Sequence, residues 1–465
     1  MTDFSQVLQR QRAFFASGAT LTREFRLAKL EALERAILTR QPEIAAALRA
    51  DFRKPELESF LSETAFTIEE IRFARKNLRK WMRPERVRTP LVLLPARSQI
   101  HREPYGASLI IGPWNYPFQL ALSPLVAAIA AGNTVVLKPS ELTPATTAVL
   151  QAILAEAFSP EHVAVVEGGV AETTALLAER FDHIFFTGST SVGRIVALAA
   201  AKHLTPVTLE LGGKSPVVVC ADADLELAAR RIAWGKFLNA GQTCVAPDYL
   251  YVHESVADRL LGKIRERIRD FYGSDPRASA SYARIINARN FARLEAMLAG
   301  ANVFTGGRRT AEDLYIEPTL LTDTGWDHPS MREEIFGPIL PVFRFSDLAE
   351  PIREIRAREK PLSAYIFTKD PESRGRFLSE LSFGGGCVND TLVHLTNPHL
   401  PFGGVGASGT GAYHGEAGFL AFSHRKSVIL RTGWLDFAFR YPPYDGAKLA
   451  WLRRFFRIPA AYVRR

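Results

Sequence analysis

The run Asn239-Ala240-Gly241-Gln242-Thr243-Cys244 is small and uncharged, and it ends in one of only three cysteines. Upstream lies Glu210-Leu211-Gly212-Gly213-Lys214, a carboxylate beside a glycine pair. A thiol with an uncrowded approach can add to a carbonyl carbon, and a nearby carboxylate can activate water to hydrolyse the adduct. A third stretch follows His183-Ile184-Phe185-Phe186: the turn Thr187-Gly188-Ser189-Thr190-Ser191-Val192-Gly193 opens a helical run. A strand, a glycine turn and a helix start offer an anion free backbone N–H groups and the helix dipole. The turn is not G-x-G-x-x-G, and glycines also serve tight strand-to-helix turns sterically, so by itself it fits either use. Cys220 follows Val217-Val218-Val219 and reads as strand filling, whereas Cys387, in a glycine-rich turn, reads either way. The ten histidines show no H-E-x-x-H or Cys/His ligand spacing, so no metal is expected.

Elements that would position these groups are visible as alternation. Ala107–Ile111, Thr134–Leu137, Val163–Val166 and His183–Phe186 read as strands, separated by helices over Leu120–Ala131, Thr143–Phe158 and Glu172–Glu179. Thr143-Pro144 offers an N-cap with proline at the first helical position. A second half repeats the pattern through Val217–Cys220, Asp224–Phe237, Tyr249–His253, Ser255–Phe271, Ile339–Phe343 and Ala364–Thr368. Such alternation implies parallel sheets covered on both faces, with a nucleotide at the carboxyl ends of the strands. Residues 4–81 carry helical periodicity, with Leu27, Leu30, Leu33, Ile37 and Leu38 on one face, and no visible chemistry. Four prolines between Pro84 and Pro104 rule out a long helix there and leave an extended hairpin.

Composition sets the bounds. A chain of 465 residues exceeds one hydrophobic core, so at least two domains are expected. The net charge of +9 is mostly interleaved in sign, which favours acidic partners only weakly and points to no nucleic acid. Three widely spaced cysteines argue for a reducing compartment, and the N-terminus shows no secretory pattern; a cytoplasmic location is expected. Tyr105 to Leu137 carries no charge, but Pro113, Pro117 and Pro124 interrupt it, so it reads as buried protein rather than a membrane span. In the tail, Ala450-Trp451-Leu452-Arg453-Arg454-Phe455-Phe456-Arg457-Ile458-Pro459 interleaves aromatics with arginines. It is too short and charged to span a bilayer; a packed helix with solvated arginines is preferred over peripheral membrane contact.

Seven motifs now stand in order: Pro113-Trp114-Asn115-Tyr116-Pro117, Lys138-Pro139-Ser140-Glu141, Phe186-Thr187-Gly188-Ser189, Leu209-Glu210-Leu211-Gly212-Gly213-Lys214, Gly241-Gln242-Thr243-Cys244, Glu334-Ile335-Phe336-Gly337-Pro338 and Pro401-Phe402-Gly403-Gly404. The set resembles the NAD(P)-dependent aldehyde dehydrogenase superfamily. The short N-terminal arm, Cys244-Val245-Ala246-Pro247-Asp248 and Arg440-Tyr441-Pro442-Pro443 resemble its class 3 branch, which includes fatty aldehyde dehydrogenases.

The resemblance implies an α/β fold: a Rossmann-like dinucleotide-binding domain (1–83 and 105–209), an α/β catalytic domain (210–400), a small bridging or oligomerisation element (84–104 and 401–433) and a basic aromatic tail (434–465). It implies Cys244 as nucleophile, Glu210 as the base that activates water, and the Asn115 amide as oxyanion donor beside the Cys244 N–H. Lys138 and Glu141 would approach the adenosine ribose, Gly188, Ser189 and Gly193 would lie by the pyrophosphate, Glu334 would hold the nicotinamide ribose, and Phe336 would pack near the nicotinamide. Glu141 repels a 2′-phosphate and Lys138 attracts one, which makes NAD the first cofactor and NADP the second. Tyr116 and Phe402 would line an apolar funnel for the aldehyde, a medium- or long-chain aliphatic or an aromatic one. A homodimer is implied as well. Two alternatives remain at this stage. A CoA-acylating dehydrogenase is disfavoured by Glu210, because such an enzyme must suppress water attack, and a silent scaffold is disfavoured by the intact Cys244, Glu210 and Asn115.

Overall fold

In the computed structural model, the apolar strand Ala107–Ile111 lies inside a six-stranded sheet, and every one of its residues is buried. The structure describes residues 4–433, 436–437 and 440–458. Sheet order is Gly409–Thr410, Val207–Glu210, His183–Thr187, Ala107–Ile111, Thr134–Lys138, Val163–Val165. All neighbours are parallel except Gly409–Thr410. After Ala107–Ile111 the chain adds two strands on one side, then returns to add His183–Thr187 and Val207–Glu210 on the other. The order therefore reverses between Ala107–Ile111 and His183–Thr187, and the crevice beyond their carboxyl ends is where such sheets bind ligands. Alternate residues feed opposite cores: Ile110, Val135 and Phe185 join one, Leu109, Ile111, Val136, Ile184 and Phe186 the other.

A second sheet has the order Asn302–Thr305, Thr319–Thr322, Ile339–Phe345, Tyr249–His253, Pro216–Val219, Ser363–Phe367, Gly385–Val388. Only its first pair is antiparallel. Cys220 is buried in this sheet's core, where burial pushes its thiol up to about 11, as expected of strand filling. Cys387, on Gly385–Val388, is partly buried with its sulfur 3.6 Å from His394 Nδ1.

Helix limits follow the periodicity closely, with two differences. Thr143 does not cap the helix Pro144–Ala157 through its side chain. The carboxylate of Asp51 takes that place, accepting from Ala145 N at 3.0 Å and Thr146 N at 2.8 Å. Leu30, Leu33 and Ile37 are buried as the helical face requires, but Leu38 is exposed, because it falls a further 100° round the helix. The N-terminal layer comprises Phe4–Ala16, Arg23–Thr39, Gln41–Phe52, Glu56–Ser59 and Phe66–Trp81, the last two joined by a π-helical turn, Phe60–Ala65.

These parts form one compact unit, residues 1–82 and 103–424; residues 83–102 and 425–465 form a second, smaller one. In the smaller unit Glu85–Val87 pairs antiparallel with Ala96–Pro104, so the proline-rich stretch is a hairpin, and Ser423–Arg431 completes a three-stranded sheet. Further on, the helix Gly446–Phe455 has no buried residue in the single chain, in contrast to the packed helix expected. Trp434 and Pro459 to Arg465 lie outside the described residues. Among the described residues no helix is long and apolar enough to cross a membrane.

Candidate active site

Cys244 follows a backbone that only a small, uncharged run tolerates. Asn239, Ala240 and Gly241 all have positive φ (51°, 50° and 75°), and a Cβ on Gly241 would collide with the carbonyl of Gly337. Two amides hold this bend. Asn239 Nδ2 donates to Asn115 O at 2.8 Å and to Gln242 O at 3.1 Å. Gln242 Nε2 donates to Asn239 O at 3.0 Å and Arg284 O at 2.9 Å, while its Oε1 accepts from Ile286 N at 3.0 Å. A strained turn held by this many hydrogen bonds is stiff, and stiffness fixes the thiol that follows it.

Asn115, on the loop after Ala107–Ile111, is buried. Its Nδ2 donates to Gln242 O at 3.1 Å, which engages one amide proton and leaves the second for another acceptor. Tyr116 Oη and Thr243 Oγ1 lie 2.7 Å apart. The loop is thereby tied to the cysteine loop at two successive residues.

Glu210 ends the strand Val207–Glu210 and is buried, with neither carboxylate oxygen hydrogen-bonded. Burial alone raises it well above the carboxylate range. Glu334 is raised to about 8, first by burial and then by the charge of Asp248. The Cys244 thiol is pushed up to about 12, first by burial and then by Glu334 and Glu210. The structure thus brings Cys244, Glu210 and Glu334 into one electrostatic cluster.

The Glu334 segment is pinned from three sides. Lys214 Nζ pairs with Asp248 and donates to Ser330 O and Glu333 O, both at 2.9 Å. Asp248 Oδ1 accepts from Ile335 N at 2.9 Å, and Arg293 donates to Glu334 O at 3.2 Å and Ile335 O at 2.7 Å. Arg293 carries no motif signal, and only the structure places it here. Gly212 lies so close that a Cβ would sit inside the Glu334 carboxylate. Phe336 has φ 48° and packs edge-on to Trp114, ring centroids 5.3 Å apart.

The residues expected to meet a dinucleotide fit one. Lys138 is buried at the end of Thr134–Lys138 and its Nζ lies 2.9 Å from Glu141 Oε2. Burial pushes the Glu141 carboxyl up, but the Lys138 hydrogen bond, a backbone hydrogen bond and the Lys138 charge together outweigh it and hold the group below its usual range. A half-exposed carboxylate with a fixed cation suits ribose hydroxyls. Ser189 caps the helix Thr190–Ala201 at the carboxyl end of the switch-point strand, accepting from Val192 N, and so leaves an anion-ready helix start. The glycines themselves have steric reasons: a Cβ on Gly188 would strike the Phe186 ring, and one on Gly193 would strike Leu211. Among the described residues no cluster of three or more His, Cys, Asp or Glu is placed to hold a metal.

A cavity of about 220 Å³ reaches Cys244. Tyr116 and Phe402 line it, together with residues that no motif pointed to: Leu61 and Phe66 from the N-terminal layer, Trp234 and Leu238 before the cysteine loop, and Leu392 and Val393 after Gly385–Val388. Sequence periodicity assigns no chemistry to residues 4–81, yet that layer forms one wall of the cavity.

Comparison with known proteins agrees with this fold. Residues 2–428 match the model of the aldehyde dehydrogenase family. The 4,4'-diaponeurosporen-aldehyde dehydrogenase of Staphylococcus aureus is 47% identical over 459 residues, covering 98% of this chain and 100% of that one. The dimeric NADP-preferring aldehyde dehydrogenase of Canis lupus familiaris is 45% identical over 445 residues, covering 95% and 98%. Among solved structures, Staphylococcus aureus AldH in its substrate-bound state superposes with a TM-score of 0.96 at 47% identity, covering 98% of this chain and 100% of that one. The chain belongs to the aldehyde dehydrogenase family.

Proposed function

We propose that Cys244, Glu210 and Asn115 are the working groups of this NAD(P)-dependent aldehyde dehydrogenase, and that its substrate is a medium- or long-chain aliphatic or an aromatic aldehyde. The observation that carries the assignment is a thiol that lines a largely apolar cavity and feels the charge of a buried carboxyl, Glu210, with no partner of its own. Cys244 Sγ, once deprotonated, adds to the aldehyde carbon. The free amide proton of Asn115 and the Cys244 N–H receive the resulting oxyanion. A bound nicotinamide would supply the acceptor for the hydride that leaves this adduct. Glu210 then takes a proton from water as that water attacks the thioester, releasing the carboxylic acid and restoring the thiol. Lys138, Glu141, Ser189 and Glu334 orient the dinucleotide, with NAD the first cofactor and NADP the second. The apolar part of the wall, which includes Leu61 and Val393, excludes water and receives the hydrocarbon part of the aldehyde.

We assign the cofactor to residues 1–83 and 105–209, the covalent chemistry to 210–400 and subunit contact to 84–104 and 401–433. The last assignment is supported by exposed Leu91, Ile429 and Leu430 in the smaller unit.

Cofactor reduction, followed by absorbance with aldehydes of increasing chain length, tests the scheme. Wild type turns over, Cys244→Ala does not, and Glu210→Gln falls by about 10²–10⁴-fold in steady state. Activity persisting in Cys244→Ala would place the nucleophile elsewhere. Acyl-CoA as the product in the presence of CoA would replace hydrolysis with acyl transfer.

A further inference from the structure

The wall of the Cys244 cavity carries one carboxyl group, Glu58, from the short helix Glu56–Ser59. Its Oε1 is out of contact with solvent and has no hydrogen-bond partner. The cation beside it is already engaged. Lys54 Nζ donates to Glu63 Oε1 at 2.6 Å, with both side chains fully buried, and stands 3.7 Å over the Tyr116 ring. The second oxygen of Glu63 accepts from Phe118 N at 3.1 Å and Gln119 N at 2.9 Å. Glu63 is therefore satisfied within the protein and Glu58 is not. Burial outweighs the nearby Lys54 and the Asn239 N–H, and pushes Glu58 up to about 7. Around neutral pH a large share of the group is the neutral acid, able both to donate and to accept.

A polar group facing a cavity without a partner is satisfied by what enters the cavity. Leu61, Phe66 and Leu238 share the wall, and several of its polar side chains are engaged within the protein: Ser62 Oγ donates to Glu58 O at 2.6 Å, Thr243 Oγ1 pairs with Tyr116 Oη, and Gln119 Nε2 donates to Ser123 Oγ at 3.0 Å. We propose that Glu58 is a specificity-determining residue, whose carboxyl hydrogen-bonds a hydroxyl carried on the chain of the aldehyde. The enzyme then favours a hydroxylated aldehyde over the plain one of equal length. A protonated amine is a poorer occupant, because Lys54 beside Glu58 repels it. The inference rests on the aldehyde-oxidising reading of the same cavity and names a substrate class within it.

The test compares kcat/KM for pairs of aldehydes of equal length, one plain and one with a hydroxyl at successive carbons. It uses wild type, Glu58→Gln and Glu58→Leu. The ratio within each pair is internal to one enzyme sample, so partial unfolding of a variant cancels. A hydroxyl at one chain position is expected to raise kcat/KM in wild type by roughly tenfold or more, since it satisfies a buried polar group. Glu58→Gln keeps part of that preference, and Glu58→Leu removes or inverts it, mainly through KM. An unchanged ratio in Glu58→Leu, or a larger gain from an amine than from a hydroxyl, overturns the proposal. Calorimetric binding of the corresponding plain and hydroxylated carboxylic acids separates the two readings. If wild type oxidises no aldehyde, the functional reading fails; a hydroxyl-dependent affinity lost in Glu58→Leu would still support the role of Glu58, and its absence would end it.

Discussion

Cys244 holds its proton far more tightly than a free thiol does, because it is buried and faces two carboxyl groups. The direction of the pH effect follows. At any pH below about 12 the thiolate is the minor form, and its share rises about tenfold per pH unit. Without cofactor, alkylation of Cys244 by iodoacetamide should therefore accelerate through the whole range from about pH 6 to 9 with no plateau. A plateau near neutral pH would mean that the free enzyme already holds a thiolate. Glu210, raised by burial, must lose its proton before it can act as a base, so thioester hydrolysis should also quicken with pH. Gly212 belongs to the same scale. A methyl group there would displace the Glu334 carboxylate, so Gly212→Ala should raise KM for the dinucleotide more than KM for the aldehyde. Its kcat/KM should fall by up to about 100-fold, the scale of a misplacement of ~1 Å. Equal KM values in both forms would show that Glu334 does not touch the cofactor.

At the scale of elements, the active-site loops are positioned by hydrogen bonds that join segments far apart in sequence. Asp51 makes a similar long-range tie, capping the helix Pro144–Ala157 with two backbone bonds and a third from Thr146 Oγ1 at 2.6 Å. Asp51→Ala should lower unfolding stability by about 2 kcal/mol, as for hydrogen bonds to a charged group, with kcat unchanged. Urea midpoints with an unchanged slope check this; a shift below about 0.5 kcal/mol would mean that water replaces the carboxylate. Thr143 looked like the cap because its type and the following proline fit the rule. Local rules do not register a carboxylate arriving from 94 residues upstream. The π-helical turn Phe60–Ala65 is a similar case: it joins the helix that carries Glu58 to the one that begins at Phe66, both on the cavity wall.

For the whole molecule, the smaller unit has a three-stranded sheet and leaves Leu91, Leu94, Ile429 and Leu430 exposed. Ile429 and Leu430 lie on the strand Ser423–Arg431, and under the subunit contact proposed above a second copy of the chain would cover them. Sedimentation should give twice the mass of one chain, and Ile429→Lys with Leu430→Glu should shift it toward one. A monomeric wild type at micromolar concentration would remove subunit contact from this sheet.

The candidate site residues and most strands were legible in the sequence. Cys244 follows a run that tolerates positive φ, Glu210 ends an apolar strand, and Ala107–Ile111 is the buried strand its composition suggests. These are local properties, set by side-chain size, polarity and backbone freedom over a few residues. Tertiary structure decided what depends on distance through space. It brought Leu61, Trp234 and Leu392 to one cavity, set Arg293 against Glu334, and left Glu58 Oε1 and both oxygens of Glu210 without hydrogen-bond partners. Burial, charge and hydrogen bonding at a site are sums over all atoms within a few ångströms, and most of those atoms come from distant parts of the chain.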